Sequence, residues 1–145
     1  MVKSLATILT EKHQIACFLD HFDPETRPTD FISTLLLRKV AECSHLLAFV
    51  TDQTAASWWL PFEIGVACQS KRRICTFSAG KAPLPSFLSA WPVMKTGQHI
   101  DDFAEAYHKD KTGRPIVEKY KPDAKLYTHS DEFHDALKAA ILKAP

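Results

Sequence analysis

Residues 45–77 read HLLAFVTDQTAASWWLPFEIGVACQSKRRICTF, and this stretch decides the fold class. The apolar run at 45–51 is typical of a strand that is buried on both faces. A helix is predicted from about Trp58 to Ser70, because Pro61 is tolerated only in the first turn of a helix. A second apolar run follows at 74–77. A strand, a helix and a strand in this order predict a parallel pair of strands with the helix packed across them.

The flanking segments extend this alternation. On the amino-terminal side we expect a helix over 3–14, a strand over 15–20, a loop over 21–30, and a helix from Phe31 to about Ser44 capped by Asp30. On the carboxy-terminal side we expect a loop over 79–92, a short edge strand over 93–95, a helix over 100–108, an irregular polar segment over 110–130, and a closing helix over 131–143. The chain is therefore predicted to form one α/β domain over 1–145, a flavodoxin-like three-layer fold with a parallel sheet flanked by helices.

The composition excludes several classes of protein. The 145 residues are 46% hydrophobic and 24% charged, and the formal net charge is +1. This balance is that of a globular protein, and it lacks the basic excess of a nucleic-acid-binding protein. No apolar run approaches the roughly 18 residues of a membrane span, and the amino terminus lacks the pattern of a signal peptide. We therefore expect a cytoplasmic protein that binds neither nucleic acid nor membrane.

The cysteine and histidine spacings give no sign of a metal site. The four cysteines, at 17, 43, 68 and 75, include no C-x-x-C pair, so we interpret them as reduced packing residues. His129 and His134 lie five residues apart without further candidate ligands, and we expect both on the solvated surface.

The rule for open parallel sheets places ligands beyond the carboxyl ends of the strands, which directs attention to the loops at 20–30, 51–58 and 78–92. The middle loop leads into Trp59 and Glu63, which share one face of the predicted helix. A glutamate near a helix N-terminus can simply stabilise its own helix through the helix dipole. Trp59 can equally be a packing residue. The residues alone leave these interpretations open beside a functional one.

The pattern Ser57-x-Trp59-x-x-x-Glu63 resembles a signature of Toll/interleukin-1 receptor (TIR) domains, in a form similar to bacterial TIR-like proteins. The segment 15–20 is similar to the family's second strand with its terminal aspartate, Asp20. Residues 21–30 correspond to the loop that mediates contacts between TIR domains, and 43–50 resembles the helix end and central strand before the signature. The resemblance covers residues 3–78. Met1 falls inside the helix that follows the family's first strand, so we expect a sheet without that strand.

The resemblance implies an enzyme that hydrolyses or cyclises NAD⁺, with release of nicotinamide, in immune or antiphage defence signalling. Glu63 would be the catalytic residue, Trp59 would wall or stack the nicotinamide side, and Ser57 would shape the strand-to-helix turn. Asp20 and Phe22 complete the implied substrate-binding set. NAD⁺ would be the substrate, and no cofactor or metal is expected. Nicotinamide leaves as a neutral molecule, so one positioned carboxylate can suffice to stabilise the oxocarbenium-like centre.

Two alternatives stay open. A non-catalytic TIR-like module would act by homotypic assembly, binding itself or another TIR domain through residues 21–30. A flavodoxin-like nucleotide-binding domain without TIR ancestry is the third possibility. The residues of the signature favour the enzyme, whereas the lack of the first strand favours the assembly module.

Overall fold

The computed structural model describes residues 1–19, 29–118 and 126–143. Its helices are α1 (Val2–Thr7), which continues as a π-helical turn over Ile8–Lys12, α2 (Thr29–Glu42), α3 (Trp59–Gln69), α4 (Gly97–Glu118) and α5 (Leu126–Lys143). Its strands are β1 (His45–Val50), β2 (Arg73–Ser78) and β3 (Val93–Met94), and a short 3₁₀ helix covers Ser86–Ala90.

The three strands form one parallel sheet in the order β1-β2-β3. His45 pairs with Arg73 at the amino ends of β1 and β2, and Val50 pairs with Ser78 at their carboxyl ends. β3 joins the far side of β2, where Thr76 pairs with Val93. The predicted parallel α/β arrangement, with β3 at the edge, is confirmed.

Helices cover both faces of this sheet, because successive side chains of a strand point to opposite faces. One apolar cluster joins Ala48, Val50 and Ile74 to α2 and α3. The other joins Cys75 and Met94 to α1, α4 and α5, with partly buried residues of β1 and β2 packed against it. Burial on both faces is the physical reason that the strands of this sheet read as continuous apolar runs.

The strand predicted over 15–20 is wrong for its described part, since residues 15–19 have no regular secondary structure. Gln14 ends the preceding helix with a left-handed backbone, φ 58°. The N–H of Ile15 then donates to the carbonyl of Leu9 at 2.9 Å, which turns the Ile15 side chain into the core. Phe18 is 50% exposed, and the centroid of its ring lies 4.9 Å from the Lys39 Nζ. Within 1–19 and 29–44 no strand precedes β1, and Asp20 lies outside the described residues.

Three further predictions need correction. Asp30 does not precede α2 as a cap, because that helix begins at Thr29. α4 extends far beyond the predicted 100–108, so the irregular segment expected over 110–130 is wrong at 110–118. It is also wrong at 126–130, because these residues belong to α5. Residues 119–125 lie outside the described part. Only Cys75 is fully buried among the cysteines, whereas Cys17 and Cys68 are exposed and do not serve as packing residues.

Candidate functional site

The connection from β1 to α3 is held in shape by its own side chains. The backbone N–H of Thr51 donates to Thr54 Oγ1 at 2.8 Å, and the N–H of Thr54 donates back to Thr51 Oγ1 at 3.3 Å. Ser57 Oγ accepts a hydrogen bond of 3.2 Å from the N–H of Trp59, the first residue of α3. Ser57 therefore satisfies one of the backbone donors that every helix start leaves unpaired. This geometry sets the direction in which α3 leaves the carboxyl edge of the sheet.

Glu63 lies in the second turn of α3 and is half-buried. α3 begins nine residues after the end of β1, and the dipole of a helix acts mainly on charges in its first turn, which holds no acidic residue here. Trp59 lies one turn earlier and is 9% exposed. Its ring centroid is 5.0 Å from that of Phe62, within the cluster that packs α3 on the sheet. Most of the Trp59 indole is thus core, and Ser57, Trp59 and Glu63 lie within one segment of seven residues.

Asp52 ties the loop after β1 to the loop after β2. Its Oδ1 accepts hydrogen bonds of 2.7 Å from the backbone N–H groups of both Lys81 and Ala82. Gly80 passes so close to Asp52 that a Cβ there would lie 2.7 Å from the Asp52 backbone nitrogen. Only glycine fits this approach without a shift of the backbone. The two loops therefore form one braced rim along the carboxyl edge of the sheet.

Sequence reasoning missed this rim, although a signal was present. Asp52 lies two residues beyond the end of β1, and Gly80 lies two residues beyond the end of β2. A carboxylate and a glycine after adjacent parallel strands meet at the same edge, which predicts a bridging contact of this kind. Asp20 and Phe22, the other predicted substrate-binding residues, lie outside the described residues, as do residues 21–28 of the predicted contact loop.

A second polar cluster lies at the opposite edge of the sheet, where β1 and β2 begin. The Arg73 guanidinium donates to Asp110 Oδ1 from Nε at 3.2 Å and from Nη2 at 3.1 Å. His45 Nε2 lies 3.5 Å from Asp110 Oδ2, and the ring of His45 packs against the aromatic rings of Tyr107 and Phe133, with centroid distances of 4.7 Å. All three polar side chains are at most 9% exposed.

This amino-edge cluster, defined as His45, Arg73 and Asp110, joins the sheet to α4. Parallel sheets bind ligands at the carboxyl edge, so we assign the cluster a structural role. His134 on α5 lies beside it and is 8% exposed, which makes the predicted solvated position of His134 wrong. Phe133 and Leu137 of the same helix are buried in the core, and His134 adjoins Phe133 in sequence.

Comparison with protein-family models, with curated proteins and with solved structures gave no match. Among the described residues, no three histidine, cysteine or acidic side chains lie close enough to hold a metal ion. None of the helices in the same residues has the length and apolar character needed to cross a membrane.

Proposed function

We propose that the protein cleaves the bond between nicotinamide and ribose in NAD⁺, with Glu63 as the catalytic carboxylate. The observation that carries this proposal is the position of Glu63, half-buried on the helix that rises from the carboxyl edge of a parallel sheet. That edge is where α/β folds of this type bind nucleotides. The resemblance of Ser57, Trp59 and Glu63 to the TIR signature supplies the reaction.

Cleavage of the bond between nicotinamide and ribose requires little more than one negative charge held at a fixed position. NAD⁺ already carries a positive charge on its nicotinamide ring, so the base departs neutral without a proton donor. The ribose carbon left behind has oxocarbenium character, and a fixed carboxylate in a partly water-excluded site stabilises such a centre. In hydrolysis a water then adds to that carbon and releases one proton to solvent. In cyclisation a nitrogen of the adenine ring adds instead.

The surrounding residues would position the substrate. Buried Trp59 would form a wall beside Glu63, and Ser57 would keep α3 at its angle by holding the Trp59 N–H. The rim braced by Asp52 would border the phosphate side, where exposed Lys81 adds a positive charge. Asp20 and Phe22 stay predicted contacts. The proposal places this activity in the cytoplasm, in defence signalling, and the free cysteines fit a reducing compartment.

The deciding experiment measures nicotinamide release from NAD⁺ at protein concentrations where self-association is complete. Wild-type protein should release nicotinamide, and Glu63→Gln should slow release by about 100-fold or more while the protein stays folded. Glu105→Gln is the matched control, because Glu105 lies on α4 with a side chain that is 69% exposed, and it should react like wild type. If Glu63→Gln releases nicotinamide as fast as wild type, the proposal is refuted.

The second candidate is the non-catalytic module that assembles through residues 21–30. The observation that favours it is that no strand precedes β1 within residues 1–19 and 29–44, since the lack of the family's first strand counts against the enzyme. Self-association without any nicotinamide release, from wild-type protein at every concentration, would leave this candidate in place of the enzyme.

A further inference from the structure

Two of the four cysteines lie on neighbouring parts of the structure, although α2 separates them in sequence. The irregular segment over 15–19 runs beside the last turns of α2, since the Phe18 ring centroid lies 4.9 Å from the Lys39 Nζ. Cys17 adjoins Phe18 on the first of these elements. Cys43 follows Lys39 by one helical turn, and its N–H donates to the Lys39 carbonyl at 3.1 Å. The contact between Phe18 and Lys39 therefore places the two cysteines on facing elements.

The Cys17 thiol is oriented by hydrogen bonding and is open to solvent. Its Sγ donates to the Ile15 carbonyl at 3.4 Å, and Thr10 Oγ1 donates to the same carbonyl at 3.3 Å. Cys17 is exposed, whereas Cys43 is partly buried. A small oxidant can therefore reach Cys17 while the protein stays folded.

The thiols of Cys17 and Cys43 also interact electrostatically. Burial raises the pKa of Cys17, a hydrogen bond from the Thr10 side chain lowers it, and the charge of Cys43 raises it. Interactions between exposed charges are screened by salt over about 10 Å, so this effect requires the two thiols to be close. The pKa values of Cys68 and Cys75 are raised by burial alone, with no contribution from a second thiol.

The backbone at both cysteines leaves room for a disulfide. Such a bond requires the two Cα atoms to lie within about 7 Å of each other. Residues 15–19 have no regular secondary structure, and α2 ends at Glu42, directly before Cys43. Either side can therefore adjust without disturbing the sheet. The bond would close residues 17–43 into one loop, which includes the predicted contact segment at 21–30.

We propose that Cys17 and Cys43 form a reversible disulfide when a peroxide oxidises the protein. The Cys17 thiolate attacks a peroxide oxygen, the O–O bond breaks, Cys17 becomes a sulfenic acid, and the departing hydroxide takes up a proton to leave as water. The Cys43 sulfur then attacks the Cys17 sulfur, the S–O bond breaks, and a second water leaves with the thiol proton. Two equivalents of a thiol such as glutathione restore both cysteines by exchange.

The environment of this pair suits a transient bond. Disulfides that form and break in reducing compartments commonly respond to redox conditions. Because the pKa of Cys17 is raised, little of it is thiolate at neutral pH, so we expect oxidation to need sustained peroxide. The inference does not depend on NAD⁺ cleavage.

Peptide mapping after treatment of the dilute full chain with hydrogen peroxide tests the pair. Cys17 should be joined to Cys43 within one molecule, and dithiothreitol should separate them. Cys17→Ser and Cys43→Ser should each abolish the crosslink. Cys68→Ser is the matched control, because Cys68 is also exposed but lies on α3, and it should leave the crosslink intact. If Cys17 and Cys43 stay unlinked, or are linked only between two copies, the proposal is overturned.

Thermal unfolding gives a second readout that does not rely on mapping. Closing residues 17–43 restricts the unfolded chain, so oxidised wild type should melt about 5 °C or more above the reduced protein. Peroxide should not raise the melting temperature of Cys17→Ser or Cys43→Ser, whose reduced forms should melt close to reduced wild type. An oxidised wild type that melts no higher than the reduced protein would contradict a disulfide that fits the native fold.

Discussion

The His134 Nε2 accepts a hydrogen bond of 2.9 Å from the backbone N–H of Ile74. The bond fastens α5 to β2, in a part of the protein where both residues are buried. Because Nε2 is the acceptor, the ring must be neutral and carry its proton on Nδ1. Burial lowers the pKa of His134, as do the positive charges of Lys138 and Arg73, while Asp131 and Asp135 act in the opposite direction. The folded protein therefore stabilises the neutral form of the His134 imidazole.

This bond predicts that acid weakens the fold as the pH falls below about 6.5. The pKa of His134 is lower in the folded protein than the value of about 6.5 for an unfolded chain, so below that pH the unfolded state binds more protons. The stabilisation is complete above about pH 6.5 and is lost as pH falls through the folded-state pKa. Urea unfolding between pH 8 and pH 5 should show the decline as a falling midpoint.

His134→Gln is the control for this pH dependence, because its side-chain oxygen can accept the Ile74 N–H but does not titrate. Other groups also respond to acid, so the informative quantity is the difference between the two proteins. The midpoint of His134→Gln should fall less steeply between pH 7 and pH 5 than that of wild type. Equal slopes would mean that His134 is not the titrating group.

Removing one partner of the Arg73–Asp110 pair should lower the free energy of unfolding considerably. Both side chains are at most 9% exposed, and Asp110 Oδ1 accepts two hydrogen bonds from Arg73. Arg73→Met leaves a buried carboxylate without its main cation, so the free energy of unfolding should drop by about 3–5 kcal/mol. Replacing both residues, as Arg73→Met with Asp110→Leu, should recover most of that loss. Denaturant unfolding of the two variants measures the difference.

Lys109→Met is the matched control for the buried pair. Lys109 adjoins Asp110 in sequence but pairs with Glu105 on the solvent face of α4, where both side chains are more than two-thirds exposed. Exposed pairs add little to stability. We therefore expect almost no change from Lys109→Met, and a loss as large as that of Arg73→Met would refute the distinction between the two pairs.

The rim residue Asp52 should affect substrate binding more than the chemical step. Its carboxylate holds the backbone of Lys81 and Ala82 at 2.7 Å, on the rim that our proposal assigns to the phosphate side of the substrate. Asp52→Ala should loosen the loop after β2, raise KM for NAD⁺ about tenfold and leave kcat within about threefold of wild type. Faster proteolysis within 79–85 would report the loosening independently of activity. A lost kcat with unchanged KM would contradict this role.

The central part of the fold was predictable because it is encoded locally. β1, α3 and β2 lie within one or two residues of their predicted limits, since an apolar run, a proline in the first helical turn and a second apolar run leave few alternatives. The run at 15–19 has the same composition but forms no strand. Only Ile15 of that run is buried, and Ala16, Cys17 and Phe18 are exposed after the left-handed turn at Gln14. Composition cannot distinguish these two outcomes.

The sequence does not predict the polar contacts, because they join residues that are far apart along the chain. Arg73 and Asp110 are 37 positions apart, and Ile74 and His134 are 60 apart. The charged neighbours of Asp110 and the following Pro115 predict an irregular segment at this position. α4 nevertheless continues through this region, where Arg73 holds Asp110 against the sheet and α5 packs alongside. Tertiary contacts overrode the local signal for a helix end.

Thr76, in the middle of β2, offers a stabilising substitution. Its side chain is fully buried, and in the part of the chain that the structure describes its Oγ1 has no hydrogen-bond partner. A buried hydroxyl without a partner costs about 1–3 kcal/mol, and valine has the same shape and suits a strand equally well. Thr76→Val should therefore raise the free energy of urea unfolding by about 1 kcal/mol without changing the m-value. Thr54→Val, which removes a hydroxyl that bonds to Thr51, should change stability in the opposite direction. A destabilised Thr76→Val would mean that this hydroxyl is satisfied after all.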